Sequence, residues 1–198
     1  MSTIENILDQ FPDRVGEKKD AQIFTPAHIA DEIIDALPDT IWNSKTTFLD
    51  ICCKSGIFLY KIYKKLMLSK SMELEFPDKQ KRAKHILENQ LYGISPTEFC
   101  KMHSTKTVYG SINKNSNIIS FGDNYNTIMQ NKNRQFLLET IQKEFNTMRF
   151  GVVIGNPPYN KGMDLDFVNL GYDLSSNITA MITPAKWQTT SDDYTGCA

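Results

Sequence analysis

Apolar residues along the chain occur in two arrangements: short continuous runs, and positions spaced three or four residues apart. The continuous runs predict five strands, at residues 46–53, 90–94, 117–121, 150–154 and 177–182. The spaced positions predict helices at residues 27–37, 57–68, 82–89 and 133–146. Because strands and helices alternate, we predict an α/β fold in which helices wrap a mostly parallel, doubly wound sheet. Residues 69–81 and 112–117 are expected to be loops.

The composition is that of one ordinary globular domain, with 198 residues, 40% of them hydrophobic and 23% charged. No apolar run approaches the roughly 20 residues of a membrane span, and the N-terminus lacks a signal-peptide pattern. We therefore expect a cytoplasmic protein with no membrane partner. The four cysteines show neither disulfide nor metal spacing.

The net charge of −1 argues against binding nucleic acid by bulk electrostatic attraction, so any DNA contact is expected to be local. The most basic stretch is residues 61–84, which contains eight Lys and Arg. A solvated helix face explains this stretch at least as well as a track for phosphates, and we favour the solvated face.

The stretch VVIGNPPYN, residues 152–160, carries the most specific chemistry in the chain. A buried strand must end at Pro157 and Pro158, because both lack a backbone donor and fix φ. In the stiff loop that follows, the Asn156 side-chain oxygen and the Pro157 carbonyl can accept hydrogen bonds from one exocyclic amino group. Tyr159 offers a flat face for a planar base, a contact worth about 1–3 kcal/mol. The base must leave its duplex to reach this loop.

Three further segments suggest a cofactor site, each with an ordinary alternative. FLDICCKSGIF, residues 48–58, is a strand, tight turn and helix start that could cradle an adenosine-containing cofactor or be a plain βα turn. In IFTPAHIADEII, residues 23–34, Thr25 is predicted to cap a helix that begins at Pro26, and a carboxylate could dock there. Asp123 follows a strand, and its side chain could accept a hydrogen bond from an adenine amino group or simply form a turn.

Taken in order, FTPAHIADEI, FLDICCKSGIF, FGDNYN, VIGNPPYN and AMITPAKW resemble the motifs of N6-adenine-specific DNA methyltransferases of restriction-modification systems, the NPPY type with an FTP-type motif before the cofactor loop. The resemblance implies a Rossmann-like fold, S-adenosylmethionine as cofactor, DNA with a flipped adenine as substrate, and neither a metal nor a covalent intermediate. It implies cofactor binding by Phe24, Thr25, Asp50, Cys52, Gly56, Ser95, Asp123 and Asn156, and catalysis by Asn156, Pro157, Pro158 and Tyr159.

The resemblance also predicts how the chain is divided: an N-terminal helical extension at 1–22, a partial catalytic domain at 23–187 and a polar tail at 188–198. The sheet is expected to be incomplete at the C-terminus, as in a fragment or truncated product, with its exposed edge favouring self-association. A recognition domain or subunit is expected outside this chain, and the chain alone is not expected to methylate duplex DNA detectably.

The sequence departs from the family pattern at Lys54, where glycine is usual, and at Ser95, where a carboxylate is usual. Two alternatives stay open. One is a methyltransferase that acts on RNA or on protein glutamine, since NPPY suits any planar amino or amide group. The other is a truncated or degenerate module that binds cofactor or a partner without catalysis.

Overall fold

The structure, a computed structural model, describes residues 14–15, 22–112, 115–125, 129, 134–159 and 163–184, without the side chains of residues 14–15, 22–23 and 123. The strands are β1 Arg14–Val15, β2 Gln22–Ile23, β3 Phe48–Asp50, β4 Leu91–Ser95, β5 Ile118–Ser120, β6 Phe150–Gly155 and β7 Ser175–Met181. The helices are α1 Ala27–Asp35, α2 Ile57–Leu68, α3 Lys70–Glu75, α4 Lys79–Asn89, α5 Glu98–Tyr109, α6 Arg134–Phe145 and α7 Met163–Leu174. Short 3₁₀ helices lie at Asp39–Ile41 and Gly122–Asn124.

Strands β3 to β7 form one sheet in the order β5-β4-β3-β6-β7, and every neighbouring pair is parallel. The central strand β3 pairs on both sides, so that Asp50 lies beside Gly93 of β4 and Ile154 of β6. This arrangement confirms the predicted α/β fold, and each of the five predicted strands is present.

Apolar side chains are buried on both faces of the sheet, as a fully wrapped parallel sheet requires. On β6, Val152 and Ile154 belong to the core under α1, α2, α4 and α5. Val153, between them, belongs to the core under α6 and α7. Because successive residues of a strand point to opposite faces, a continuous apolar run supplies both cores at once.

Three helices differ from the expected pattern. Helix α3 lies inside the predicted loop at 69–81, where its single buried residue, Met72, left no periodic signal. Helix α5 was not predicted because its buried side is largely small and polar, as at Ser104, Thr105 and Thr107. Helix α7 was also missed, although Phe167, Leu170, Gly171 and Leu174 are buried at helical spacing.

Of the predicted helical extension at 1–22, the structure describes only residues 14, 15 and 22. These residues are strand rather than helix, since β1 and β2 form an antiparallel pair. The rest of that segment and the predicted tail at 188–198 lie outside the described residues.

Candidate cofactor and catalytic site

The chain changes direction across the sheet between β3 and β6. From β3 it continues to β4 and β5 on one side, then returns to β6 and β7 on the other. Open α/β sheets bind ligands outside the carboxyl ends of the strands at such a point. Two segments leave the sheet there: residues 51–56, which we call the β3 turn, and residues 156–159, which we call the NPPY loop. The two strongest sequence motifs therefore lie side by side.

Side chains from neighbouring segments fix the shape of the β3 turn. The Tyr125 hydroxyl donates to the Ile51 carbonyl at 2.8 Å, and the Ser95 hydroxyl donates to the Cys53 carbonyl at 2.7 Å. Within the turn, the Cys52 N–H donates to Asp50 Oδ1 at 3.0 Å. These contacts fix the conformation of the turn before any ligand arrives, which lowers the cost of ordering it on binding.

Asp50 is a buried carboxylate at the carboxyl end of the central strand. Burial raises the pKa of Asp50 to about 7, although the Cys52 N–H and the charge of Lys54 act in the opposite direction. Burial also raises the pKa of the Cys53 thiol well above its usual range. The adjacent cysteines are therefore poor nucleophiles, whereas Asp50 is a titratable group within the site.

Gly56 ends the β3 turn and starts α2 in a conformation that favours glycine. Its φ is +80°, and a Cβ at this position would lie 2.9 Å from Ser104 Cα and 3.1 Å from the Ser104 carbonyl oxygen. Both the backbone angle and the contact with α5 require a residue without a side chain. No side chain caps α2 at this end, so its first backbone N–H groups face the turn.

The Asn156 side chain makes two hydrogen bonds that fix the NPPY loop. Its Nδ2 donates to Thr25 Oγ1 at 3.0 Å, and its Oδ1 accepts a hydrogen bond from the Tyr159 hydroxyl. Pro157 is buried and Pro158 is half-buried, while Tyr159 keeps 40% of its surface exposed. The loop therefore presents one exposed aromatic face beside an amide whose acceptor is covered by the tyrosine hydroxyl.

The prediction that Thr25 caps α1 was wrong. The helix begins at Ala27, its N-cap is Pro26, and no side-chain cap hydrogen bond is present. The Thr25 hydroxyl instead accepts from Asn156, 131 residues away in sequence. Residues 24–26, which we call the FTP segment, therefore contact the NPPY loop directly through this hydrogen bond.

Lys54 joins the β3 turn to the NPPY loop. The residue is 9% exposed, and its Nζ donates to the Asn156 carbonyl at 3.1 Å. Sequence analysis marked Lys54 as a departure from the family pattern, but a contact across 102 positions has no signal in the sequence. Lys54 and Thr25 together connect Asn156 to the β3 turn and to the FTP segment.

The remaining predicted cofactor residues have different surroundings. Phe24 and Cys52 are buried beside the site. Ser95 is 0% exposed, and its hydroxyl is engaged with the Cys53 carbonyl rather than facing solvent. Asp123 lies in the 3₁₀ helix that follows β5, at the same edge of the sheet, but its side chain is outside the described part of the structure.

Asp164, near the start of α7, is a residue that sequence analysis missed. It is fully buried, and neither carboxylate oxygen has a hydrogen-bond partner among the residues that the structure describes. Burial of Tyr159 raises the pKa of its hydroxyl, and the nearby Cys52 and Asp164 side chains act in the same direction. A buried carboxylate without partners is costly for stability, which is a common mark of a functional region.

Three of the eight basic residues at 61–84 make contacts that join elements of the fold, and the other five are exposed. Lys61 pairs with Asp31 and Lys65 pairs with Asp35, each at 2.7 Å, which ties α2 to α1. Arg82 is buried, and its Nη1 donates to the Met67 carbonyl at 3.3 Å. These contacts support a structural interpretation of the stretch over a phosphate track.

Comparisons with known proteins agree with this architecture. Residues 77–166 match the Eco57I restriction-modification methylase family. The chain is 25% identical to an uncharacterized adenine-specific methylase of Mycoplasma pneumoniae, in an alignment that covers 96% of this chain and 60% of the relative. The match at 77–166 includes the NPPY loop, so the sequence likeness extends to the candidate site.

Two solved structures share the fold. The M protein of the type I restriction enzyme EcoKI aligns with a TM-score of 0.57 and 13% identity over 88% of this chain and 36% of its own. A modification subunit of a putative type I restriction enzyme from Vibrio vulnificus aligns with the same TM-score and identity over 96% of this chain and 40% of its own.

These findings confirm the predicted resemblance: the chain is similar to adenine-specific methylases of restriction-modification systems, with a Rossmann-like methyltransferase fold. It spans three-fifths of the length of the curated relative. Among the residues that the structure describes, no helix is long and apolar enough to cross a membrane.

Proposed function

We propose that this chain is the catalytic part of a methyltransferase that moves a methyl group from S-adenosylmethionine to the N6 amino group of adenine in DNA. The observation that carries the proposal is the Asn156 network, in which Thr25 and Lys54 join the NPPY loop to the FTP segment and the β3 turn. A methyl donor on the β3 turn and the target amino group at Asn156 would then meet between β3 and β6, where the chain changes direction across the sheet.

The residues of the β3 turn fit an adenosine-containing cofactor. Asp50 supplies an acceptor at the carboxyl end of β3, and the uncapped start of α2 supplies backbone N–H donors. Asp123 would accept from the adenine amino group of the cofactor, while Phe24, Thr25 and Cys52 would line its methionine half. The bound cofactor would supply an activated methyl on a sulfonium.

Asn156 Oδ1 and the Pro157 carbonyl are the acceptors for the target amino group. By accepting hydrogen bonds from its two N–H groups, they would orient the nitrogen lone pair toward the methyl and stabilise the positive charge that builds on nitrogen as the S–C bond breaks, until the surplus proton passes to solvent. Pro157 and Pro158 restrict the loop, so these oxygens need little reorganisation when the base arrives. Asn156 Oδ1 must first lose its hydrogen bond from the Tyr159 hydroxyl before it can accept one from the amino group of the base.

Tyr159 would then stack on the target adenine, since its ring is the exposed aromatic face of the loop. This step requires a flipped base, which costs a few kcal/mol in a duplex and little in a single strand. The chain has a net charge of −1 and therefore no net positive charge to offset that cost. We therefore assign sequence recognition and tight binding of duplex DNA to a domain or subunit beyond the residues described.

The proposal is tested by incubating the chain with S-adenosylmethionine carrying a tritiated methyl and with single-stranded oligonucleotides that contain or lack adenine. We expect transfer to the adenine-containing strand, no detectable transfer to its duplex, and loss in Asn156→Ala. Asn177→Ala, at the amino end of β7, is the matched control and should keep activity. Binding of the cofactor without transfer to any strand would contradict the proposal.

A second candidate function is a module that binds cofactor without catalysis. The specific observation that favours it is Lys54, whose ammonium lies in the gap between the β3 turn and Asn156. The two candidates differ in one result: the non-catalytic module would bind S-adenosylmethionine, yet would give the same background transfer as its Asn156→Ala variant.

A further inference from the structure

The Tyr159 hydroxyl occupies the acceptor that the proposed reaction needs. It donates to Asn156 Oδ1, the oxygen that would hold the amino group of the target base. This hydrogen bond must break before the base can bind, and the hydroxyl must then find another partner. Water is a poor partner at that moment, because a base stacked on the Tyr159 ring would cover its exposed face.

Asp164 carries two acceptor atoms that the fold leaves unused. Its side chain is fully buried, and neither Oδ1 nor Oδ2 has a hydrogen-bond partner among the residues that the structure describes. A buried carboxyl group without partners costs stability, so the fold alone does not explain an acid at this position. Asp164 lies in the first turn of α7, where the positive end of the helix dipole favours an acidic side chain.

The packing of α7 brings Asp164 to the edge of the sheet that carries the NPPY loop. Phe167 lies one turn further along the helix on the same buried side. Its ring contacts the ring of Tyr125, with 5.8 Å between the centroids, and the Tyr125 hydroxyl donates to a carbonyl of the β3 turn. Burial, Cys52 and Asp164 all raise the pKa of the Tyr159 hydroxyl, so Asp164 lies within electrostatic range of that hydroxyl.

We propose that Asp164 is a positioning residue that accepts the Tyr159 hydroxyl when the target amino group displaces it from Asn156 Oδ1. The inference rests on the proposed function, because it assumes that this oxygen accepts from the target base. Before the base arrives, the hydroxyl covers the acceptor. Once the base is bound, a hydrogen bond to Asp164 offsets the one lost at Asn156 and fixes the ring on which the base stacks.

Two substitutions at Asp164 separate its acceptor from its volume. Asp164→Leu removes the acceptor, so the hydroxyl stays on Asn156 and methyl transfer to a single-stranded adenine oligonucleotide should fall at least about tenfold. Asp164→Asn keeps one oxygen acceptor and should stay within about threefold of the parent. Asp166→Leu removes a partly exposed acid from the same turn of α7 and is the matched control, which should keep transfer.

Tyr159→Phe distinguishes this role from a purely structural one. In that variant no hydroxyl covers Asn156, so Asp164 has no hydroxyl to accept and its replacement should have no further effect. We therefore expect the double variant Tyr159→Phe with Asp164→Leu to transfer methyl as fast as Tyr159→Phe alone. If Asp164 only supported the fold, Asp164→Leu would lower transfer by the same factor in both backgrounds.

The experiment measures kcat and KM for transfer in the parent chain, the four single variants and the double variant, after circular dichroism has shown that each is folded. Fluorescence anisotropy without cofactor measures the preference of each protein for an adenine-containing strand over an adenine-free strand. We expect Asp164→Leu to lower both transfer and this preference in the parent background, and neither in the Tyr159→Phe background.

Three results would overturn the inference and leave the proposed function standing: transfer by Asp164→Leu at the rate of the parent, an equal loss in both backgrounds, or a loss of transfer with an unchanged preference for adenine. The last result counts against it because the hydroxyl and the base compete for the same oxygen. Absence of transfer by every protein would overturn the proposed function, and the inference with it.

Discussion

Gly56 and Gly110 allow the contact between the β3 turn and α5 to be measured apart from backbone strain. Both glycines have positive φ, +80° and +77° respectively. A Cβ at Gly56 would lie 2.9 Å from Ser104 Cα, whereas a Cβ at Gly110 would meet nothing within 4 Å. Alanine at either position strains the backbone by about 1–2 kcal/mol. Only at Gly56 must α5 also move, which adds about 1–3 kcal/mol.

We therefore expect Gly110→Ala to lower the free energy of unfolding by about 1–2 kcal/mol and Gly56→Ala by about 2–5 kcal/mol. In a chain of this size, the difference corresponds to a fall in Tm of several degrees beyond that of the control. Urea unfolding followed by circular dichroism measures both values. Equal losses in the two variants would refute the claim that the β3 turn packs directly against the α5 backbone.

Four other predictions concern single side chains of the site. The raised pKa of Asp50, about 7 against 3.8, means that its contribution is fully present below about pH 4 and is lost as pH rises through 7. Urea midpoints between pH 5 and 8 should therefore fall more steeply for the parent than for Asp50→Asn, and parallel curves would contradict this. Tyr159→Phe frees the Asn156 acceptor and keeps the stacking ring, so methyl transfer should be kept or rise; a tenfold loss would show that the hydroxyl is needed. Asp123→Ala should weaken binding of S-adenosylmethionine at least about tenfold in calorimetry, and unchanged affinity would remove Asp123 from the site. Asp164→Leu, which has no polar side-chain atoms, should raise the free energy of unfolding by about 1–3 kcal/mol, because a buried polar group without partners is removed, and a loss of stability would mean that the carboxyl group is satisfied.

The sequence predicted the parts of the site that depend on local order along the chain. Pro157 and Pro158 after an apolar run required a strand to end in a stiff loop, and Gly56 after small residues required a tight turn. Both features follow from the backbone chemistry of a few neighbouring residues. The parallel sheet then placed them at one edge, because all carboxyl ends of its strands point the same way.

Contacts between distant segments could not be predicted in this way. The Lys54 contact with Asn156 and the Asn156 contact with Thr25 depend on how loops approach across the sheet. Helix α5 was missed for a related reason: Ser104 packs against Gly56, where only a small residue has room, and Thr107 is also buried, so the helix lacks an apolar stripe. Its limits are nevertheless marked by a Thr97 cap and by Gly110.

The most direct test of the central claim is the identity of the atom that receives the methyl group. The chain would be incubated with S-adenosylmethionine carrying a deuterated methyl, together with single-stranded DNA, RNA and a glutamine-containing peptide, and the hydrolysed products analysed by mass spectrometry. The account predicts deuterated N6-methyldeoxyadenosine from the parent chain and none from Asn156→Ala. Label found in RNA or in peptide glutamine and absent from deoxyadenosine would contradict it.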